Sequence, residues 1–445
     1  MIWVLLVLLV TTTYMNYKMA DSDLFHPSII VSAMFSIFAF FCCLANIYIG
    51  IDIENMVTII VIMLGIGIFT IVNYFTHNHN LELMSKNSYQ MHITVPIFLR
   101  IIGIICTCMA IYVNYHYIID FAAAYGGGGD FFEAIVQYKL IMTFHDADDI
   151  VIASPWYRGL LITISCCFAY FAIFVFMKEK IINNKFDLIC GMNVFLYILL
   201  SFMGGGRSEV FRVITAAMFL WYIFYKAKKG ISFKVKPVLI KLLLIMSIIM
   251  FVFISFIFII GRTKADMDLE YIITAIFIYA GAPIFNLDIY LANPWQQTHG
   301  IFGELTFYRL INWIGSKLGD SSLVYELDLP FLSYQNYNLG NVYTTFYAFV
   351  YDFGIAGVVV LTAIMAVACI WLYNRIKSVW IMDANISFCM ICYAFLVNDL
   401  VMLPFSNRFY ETVFTVGTIY KLVILYVLVY IVNKNISYKV KKPSD

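Results

Sequence analysis

The chain has 445 residues, of which 63% are hydrophobic and 12% are charged, and its formal net charge is +1. A mean hydropathy of +0.88 excludes the soluble globular class and indicates a helical membrane protein. The near-neutral charge provides no basic field, so we expect no nucleic-acid partner.

Apolar runs divide the chain into about eleven predicted spans (about 10 to 13), because crossing the hydrocarbon layer takes about 20 residues. In chain order they cover 1–17, 27–49, 56–75, 95–119, 157–177, 188–204, 208–225, 238–262, 353–373, 386–404 and 410–433. We therefore predict an all-α, polytopic integral membrane protein with a single membrane domain over 1–445.

Lysine residues indicate the orientation of these spans. They crowd the short loops 178–185, 226–241 and 434–442, which the positive-inside rule places in the cytoplasm. Combined with an odd number of spans and an apolar first segment without a basic leader, this pattern predicts an outside N-terminus and a cytoplasmic C-terminus.

Arginine residues are distributed differently from lysine. Arg207, Arg262, Arg309 and Arg408 lie at the opposite ends of the spans or in the loops between them. The guanidinium group offers a planar fork of donors and is less strongly hydrated than an ammonium group, so arginine suits a bound phosphate. The pattern predicts an outward-facing site for a phosphorylated, membrane-borne substrate.

Two outer segments, 120–156 and 263–352, are longer than simple connections, and loops of that size are usually functional or disordered. An acidic run at 145–149 in the first leaves a hard-metal site as an alternative, although it lacks fixed ligand spacing. The second is rich in aromatic residues and Asn, so we expect it to be ordered. Within it, the apolar stretch 271–285 predicts a re-entrant or interfacial helix ending at Pro283.

The GGGRSEVFR motif at 204–212 is a candidate anion site, because Arg207 would lie at the positive end of the following helix. Glu209 and Arg212 are three residues apart and are expected to pair on one helix face. A tight hairpin with a snorkelling arginine is the alternative. At 261–270, Arg262 precedes several carboxylates, which fits either a phosphate contact or local salt bridges.

Aromatic and amide side chains alternate from 334 to 357, a pattern that suits sugar recognition by ring stacking and hydroxyl hydrogen bonds. Asp352 precedes an apolar run and is expected to be its N-cap, a role compatible with a ligand contact. The candidate substrate-binding residues in this segment are Tyr334, Asn338, Asn341 and Tyr343.

The segment 398–411 also contains charged candidates. Asp399 lies near the outer end of a predicted span, an expensive place for a lone carboxylate. Arg408 follows the turn at Pro404 and would either neutralise Asp399 in a structural ion pair or contact the substrate.

Five short motifs together resemble the Wzy-type polymerases of O-antigen and capsule repeat units, over roughly 190–410. They are GGGRSEVFR (204–212), the Arg262 junction, AGAPIFNLDIYL (280–291), FGELTF (302–307) and NVYTTFYAFVYDFG (341–354). The resemblance implies a GT-C-like, metal-independent glycosyltransferase without a cofactor, multi-pass in the bacterial cytoplasmic (inner) membrane. It also implies undecaprenyl-diphosphate-linked oligosaccharides as substrates, with a chain-length regulator and a flippase as partners.

In the reaction that this resemblance implies, a hydroxyl of one lipid-linked unit attacks the anomeric carbon of the growing chain, and the lipid diphosphate departs. Arg207, Arg262 and Arg408 are expected to stabilise the developing charge, with Arg212 and Arg309 as further substrate contacts. A carboxylate base would help the hydroxyl, and the residues leave three candidates open. These are Asp288, Asp352 and Asp399.

Three other functions compete with this one. An O-antigen ligase shares the chemistry but uses a lipid A core as acceptor, and no feature of the chain rules out that acceptor. A lipid-oligosaccharide flippase would show two related halves and cations within the span cores. A scaffolding protein would leave the outer arginines and aromatic segments unexplained.

Overall fold

The computed structural model describes residues 1–76, 95–126, 130–144, 152–205, 208–242, 244, 269–295, 297–335, 337–377 and 386–434. Within these ranges the regular structure is helical apart from one small antiparallel hairpin. The predicted all-α class is therefore confirmed.

The helices are numbered in chain order. The first eight are α1 (Ile2–Met19), α2 (Pro27–Ile49), α3 (Met56–Thr76), α4 (Ile97–Ala124), α5 (Phe131–Phe144), α6 (Trp156–Ile181), α7 (Leu188–Met203) and α8 (Ser208–Lys229). Helix α9 is described over 235–242. They are followed by α10 (Leu269–Ala292), α11 (Tyr308–Leu318), β1 (Leu332–Tyr334), β2 (Tyr337–Gly340), α12 (Thr345–Lys377), α13 (Phe388–Val401), α14 (Arg408–Val413) and α15 (Val416–Lys434).

Many of these helices are long and apolar enough to cross a membrane. Among the described residues there are eight, namely α1, α2, α3, α4, α6, α8, α12 and α15. Shorter apolar helices are α7, α13 and the Ile276–Ala292 part of α10. The protein is thus a multi-pass membrane protein, and its helices follow the predicted apolar runs. The predicted span 238–262 lies mostly outside the described residues.

The structure differs from the prediction at two places, one of which is the span 410–433, which is divided into α14 and α15. Helix α10 continues through Pro283 to Ala292 instead of ending at the proline. Proline removes one backbone hydrogen bond, and neighbouring groups within a membrane protein compensate for that loss. Helix α12 runs from Thr345 to Lys377 and is interrupted at Gly354, whose φ of 64° favours glycine, so its second part begins close to the predicted start at 353.

The chain forms two compact units, and the first consists of Met1–His79, Leu239–Asn374 and Asp399–Thr415. In it, α2 packs against α1, α3 and α10. Phe346 in the first turn of α12 stacks on Phe35 of α2, with ring centroids 5.2 Å apart. A Cβ on Gly65 of α3 would lie 2.2 Å from the Phe346 ring. The start of α12 is therefore held closely against α2 and α3.

The second unit consists of Asn80–Val238, Arg375–Asn398 and Val416–Asp445. Its centre is α6, which contacts α4, α7, α8 and α15. Asp187 accepts the backbone N–H of Cys190 over 3.1 Å and so caps α7. The same carboxylate pairs with Arg100 of α4 over 2.6 Å. One acid thus caps the beginning of a helix and joins that helix to its neighbour.

Candidate functional site

A cavity of about 310 Å³ lies within the first unit. It is bounded by Leu305 in the loop before α11, by Leu327 and Leu329, by the segment 341–348 at the start of α12, and by 405–411 at the start of α14. Its volume is at the low end of the range for small-molecule sites, roughly 300 to 1,000 Å³. Its polar and charged lining residues are Asn341, Tyr343, Thr344, Tyr347, Ser406, Asn407, Arg408 and Glu411.

Two buried asparagines hold the walls of this cavity. Asn407 donates from Nδ2 to the Thr306 carbonyl over 3.2 Å, and its Oδ1 accepts from the Thr345 hydroxyl at 3.4 Å. Asn286 of α10 donates to the Val342 carbonyl over 2.8 Å. Since each bond joins segments far apart in the chain, the cavity walls are fixed by tertiary contacts.

The aromatic residues at the start of α12 form a rigid wall. Tyr343 and Tyr347 stack with ring centroids 4.1 Å apart and an interplanar angle of 25°. The Tyr343 hydroxyl donates to the Pro330 carbonyl over 2.8 Å, and Trp295 donates to the Tyr347 hydroxyl over 3.1 Å. Burial raises the pKa of Tyr343, so this phenol remains neutral and keeps its proton.

Three polar atoms of cavity-lining residues are buried without a hydrogen-bond partner among the described residues. They are Thr344 Oγ1, Ser406 Oγ and Arg408 Nε, and Thr344 is only 1% exposed. An unsatisfied buried polar group costs about 1–3 kcal/mol, and native proteins keep few of them. A polar ligand or water in the cavity would supply partners for such atoms.

Arg408 and Glu411 supply the charges of the cavity lining. They are three residues apart on α14, and Arg408 Nη1 lies 3.6 Å from Glu411 Oε2, with the side chains 30% and 15% exposed. Arg408 therefore pairs with Glu411. The alternative that it forms a structural ion pair with Asp399 is wrong. Asp399 is fully buried and accepts from the Thr412 hydroxyl at 3.3 Å.

Asp288, one of the three predicted base candidates, caps the start of α3. Its carboxylate accepts the backbone N–H groups of Glu54 and Asn55 at 3.0 and 3.2 Å and the Thr58 hydroxyl at 2.6 Å. These three donors join α10 to the first turn of α3 and to the two residues before it. The structure places Asp288 in this buried cap, and it does not line the cavity.

Asp352 lies two residues before the interruption of α12 at Gly354, and the expectation that it caps the apolar run that follows is wrong, because its carboxylate bonds elsewhere. Its carboxylate instead accepts the backbone N–H groups of Leu305 and Thr306 at 3.2 and 2.7 Å. It therefore holds the loop before α11 against α12.

Glu304, which the sequence interpretation placed in a motif without assigning it a role, anchors the same loop. It is 1% exposed and accepts the N–H groups of Thr298 and His299 and the hydroxyl of Tyr351, the last at 2.6 Å. Burial by itself would raise the pKa of the Glu304 carboxyl. The donated hydrogen bonds outweigh that effect and hold the pKa below its usual value.

Three further candidates in the second outer segment lie apart from the cavity lining. Tyr334 and Asn338 belong to the β1–β2 hairpin, where Asn338 Oδ1 accepts the N–H of Gly340 over 2.7 Å. Arg309 is exposed on α11. Of the predicted substrate contacts in this segment, the structure therefore brings Asn341 and Tyr343 together with Arg408.

The remaining arginine candidates belong to other parts of the chain. In the second unit, Arg212 pairs with Glu209 over 3.6 Å, which confirms the predicted i,i+3 contact, and its guanidinium lies 4.8 Å from the Phe395 ring centroid. Arg207 and Arg262 lie outside the described residues, as does the acidic run at 145–149.

Sequence reasoning missed Thr344, Ser406 and Glu411 as members of the site. For Glu411 a signal was present, namely an acid three residues after Arg408 at the beginning of a short helix. Thr344 and Ser406 carry no such signal, because an unpartnered hydroxyl is visible only once its surroundings are known.

Comparisons of the chain with protein-family models, curated proteins and solved structures found no match. Any functional conclusion therefore depends on the residues of the site and on the sequence motifs.

Proposed function

We propose that this chain is a polymerase of lipid-linked oligosaccharide repeat units. It would transfer a growing glycan from its undecaprenyl diphosphate onto a newly flipped lipid-linked unit, at the outer face of the bacterial cytoplasmic membrane. The observation that carries this proposal is the cavity that unites Asn341 and Tyr343 with Arg408. These residues come from two separate segments that the sequence associates with sugar and phosphate recognition.

The chemistry of the cavity suits a carbohydrate. Sugar hydroxyls both donate and accept hydrogen bonds, so they can satisfy the unpartnered Thr344 and Ser406 hydroxyls as well as the Asn341 amide. The tyrosine wall offers apolar ring surface next to these polar groups. A purely apolar ligand would leave the buried hydroxyls unsatisfied.

Arg408 would contribute to catalysis by stabilising charge on the departing diphosphate. In the transition state the bond between the anomeric carbon and the diphosphate oxygen breaks, and a fixed guanidinium lowers the energy of the charge that develops. Arg207 and Arg262 remain predicted contributors to the same role. Because the donor arrives activated on its lipid, the reaction needs no nucleotide-sugar site.

The lysine distribution supports an outside N-terminus and a cytoplasmic C-terminus. In that orientation the segments before α12 and between α13 and α14 belong to the outer side. A green fluorescent protein, which folds only in the cytoplasm, is therefore expected to fluoresce when it is fused after Lys434.

The test of the polymerase function is the surface-glycan ladder of cells that lack this gene. Complementation with wild type should restore long glycans, whereas Arg408→Ala at matched protein level should leave single-unit products. Lys317→Ala, which removes an exposed cation from α11, serves as the control and should restore the ladder.

Two results would contradict this proposal. If cells lacking the gene have no single-unit products either, a flippase or a ligase describes the chain better. If Arg408→Ala restores a normal ladder, Arg408 has no role in the reaction, and the cavity loses its connection with the activity.

A further inference from the structure

We propose that Glu411 is the catalytic base that takes the proton from the attacking sugar hydroxyl. This inference rests on the proposed polymerase function and deepens it by assigning a group that the sequence analysis did not select. Two observations support it: Glu411 lines the cavity, and the other candidate carboxylates accept hydrogen bonds from the protein outside the cavity lining.

A general base must reach the proton it removes, with about 2.6–3.2 Å between the heavy atoms. Among the residues that line the cavity, Glu411 is the acidic one. Asp288 and Asp352 do not line the cavity, and their carboxylates accept three and two hydrogen bonds from donors of the protein. Asp399 also lies outside the lining and accepts from Thr412.

The Glu411 carboxylate keeps acceptor capacity for a ligand. Within the described residues its side-chain contact is the ion pair between Oε2 and Arg408 Nη1, at 3.6 Å. This distance is longer than a normal hydrogen bond, so the pair leaves most lone pairs of the carboxylate uncommitted. The side chain is 15% exposed and lines the cavity.

The neighbours of Glu411 are suited to place a hydroxyl beside it. Thr344, Ser406 and Arg408 line the same cavity, and each contains a buried polar atom without a hydrogen-bond partner among the described residues. A sugar ring that satisfies these three atoms has further hydroxyls, one of which would be available to the carboxylate. The buried atoms thus orient the acceptor, while Glu411 acts on the hydroxyl that remains.

Glu411 accepts the proton of the acceptor hydroxyl while the hydroxyl oxygen forms its bond to the anomeric carbon of the growing glycan. The bond from that carbon to the diphosphate oxygen breaks, and its electron pair leaves with the lipid diphosphate. Glu411 then returns its proton to water, and Arg408 neutralises part of the charge on the leaving group.

The experiment uses the purified full-length chain in liposomes. The substrate is a lipid extract from cells lacking this gene, which contains their own lipid-linked repeat unit. We expect Glu411→Gln to slow glycan elongation by about 100-fold or more, because general bases contribute about 10² to 10⁴ in rate. The thermal unfolding midpoint should stay close to wild type. Glu133→Gln is the control, because it removes the charge of an exposed glutamate in the second unit, and this variant should elongate glycans at the wild-type rate.

A second variant separates catalysis from structure. In Glu411→Ala, added formate should restore part of the elongation rate if a carboxylate is needed as base, whereas a structural ion pair with Arg408 gives no such rescue. This measurement remains decisive even if Glu411→Gln folds poorly.

The outcomes are distinct. Wild-type rates in Glu411→Gln, or no formate rescue in Glu411→Ala, would overturn the assignment of the base while leaving the polymerase function intact. Failure of the wild-type chain to elongate the extracted lipid would instead overturn the polymerase function itself.

Discussion

Thr306 donates its backbone N–H to the carboxylate of Asp352 over 2.7 Å, and this bond joins the loop before α11 to the first part of α12. Leu305 donates to the other carboxylate oxygen at 3.2 Å. The carbonyl of Thr306 in turn accepts from Asn407. Through these bonds an acid that does not line the cavity positions two of its walls.

We therefore expect Asp352 to act through structure. Asp352→Ala should lower the free energy of unfolding by about 1.5–3 kcal/mol, the usual value for hydrogen bonds to a charged group. Thermal unfolding in detergent measures this loss, and elongation activity should fall only as the folded fraction falls. A stably folded Asp352→Asn variant without activity would show that Asp352 takes part in the reaction.

The unpartnered Thr344 hydroxyl predicts a separation of stability from activity. Thr344→Val removes a buried, unsatisfied oxygen, so the free energy of unfolding should stay the same or rise by about 1–3 kcal/mol. Elongation should nevertheless decrease, because the ligand loses a partner.

Thr58→Val is the matched control for this prediction. Its hydroxyl is also buried but donates to Asp288 over 2.6 Å, so the same substitution should destabilise the protein. If Thr344→Val and Thr58→Val lowered stability equally, the Thr344 hydroxyl would have a protein partner, and its role as a ligand contact would be refuted.

The contact of Gly65 with Phe346 predicts a large effect of a single methyl group. A Cβ at Gly65 would lie 2.2 Å from the ring, whereas a Cβ at Gly67 in the same helix meets nothing within 4 Å. Gly65→Ala should therefore lower the free energy of unfolding by about 1–3 kcal/mol through overpacking, and Gly67→Ala should not. The thermal unfolding midpoints of the two variants test this prediction. Equal midpoints would contradict the close contact between Gly65 and Phe346.

Glu304 predicts a contribution to stability that depends on pH. Its folded-state pKa is lowered, so its ionised form stabilises the folded protein. This contribution is present above the pKa of the unfolded chain, about 4.3 for glutamate, and is lost as the pH falls through the lower folded-state value. Glu304→Gln should therefore lose less stability than wild type on acidification.

Thermal unfolding midpoints between about pH 6 and pH 3 test this prediction. Tyr351→Phe removes the hydroxyl donor at 2.6 Å from Glu304. Its loss of stability on acidification should be smaller than that of wild type and larger than that of Glu304→Gln. Identical acid dependence in wild type and Glu304→Gln would mean that the hydrogen bonds do not favour the charged carboxylate.

Helix positions were largely predictable from the sequence, because apolar runs of sufficient length are a local property of the chain. The runs at 27–49 and 56–75 correspond to α2 and α3 almost to the residue. The errors fell where local signals conflict with tertiary support. Pro283 indicated a helix end that packing overrides, and Asp352 indicated a cap, whereas its carboxylate accepts two N–H groups of the loop before α11.

The candidate site was predictable only in part. The sequence identified Asn341 and Tyr343 in one segment and Arg408 in another, because aromatic, amide and guanidinium groups have recognisable chemistry. That these two segments line the same cavity could not be predicted from the sequence. It depends on hydrogen bonds such as those of Asn407 to Thr306 and Thr345, which connect distant parts of the chain.

The sequence by itself thus determined that the protein is an all-α, multi-pass membrane protein, because hydrophobicity and span length act locally. Only the tertiary structure decided which polar groups already have a partner. It placed donors on Asp288 and Asp352 and left Thr344, Ser406 and Arg408 Nε unpartnered around one cavity. Whether a polar atom is satisfied depends on every segment that packs around it, and no single stretch of the chain contains that information.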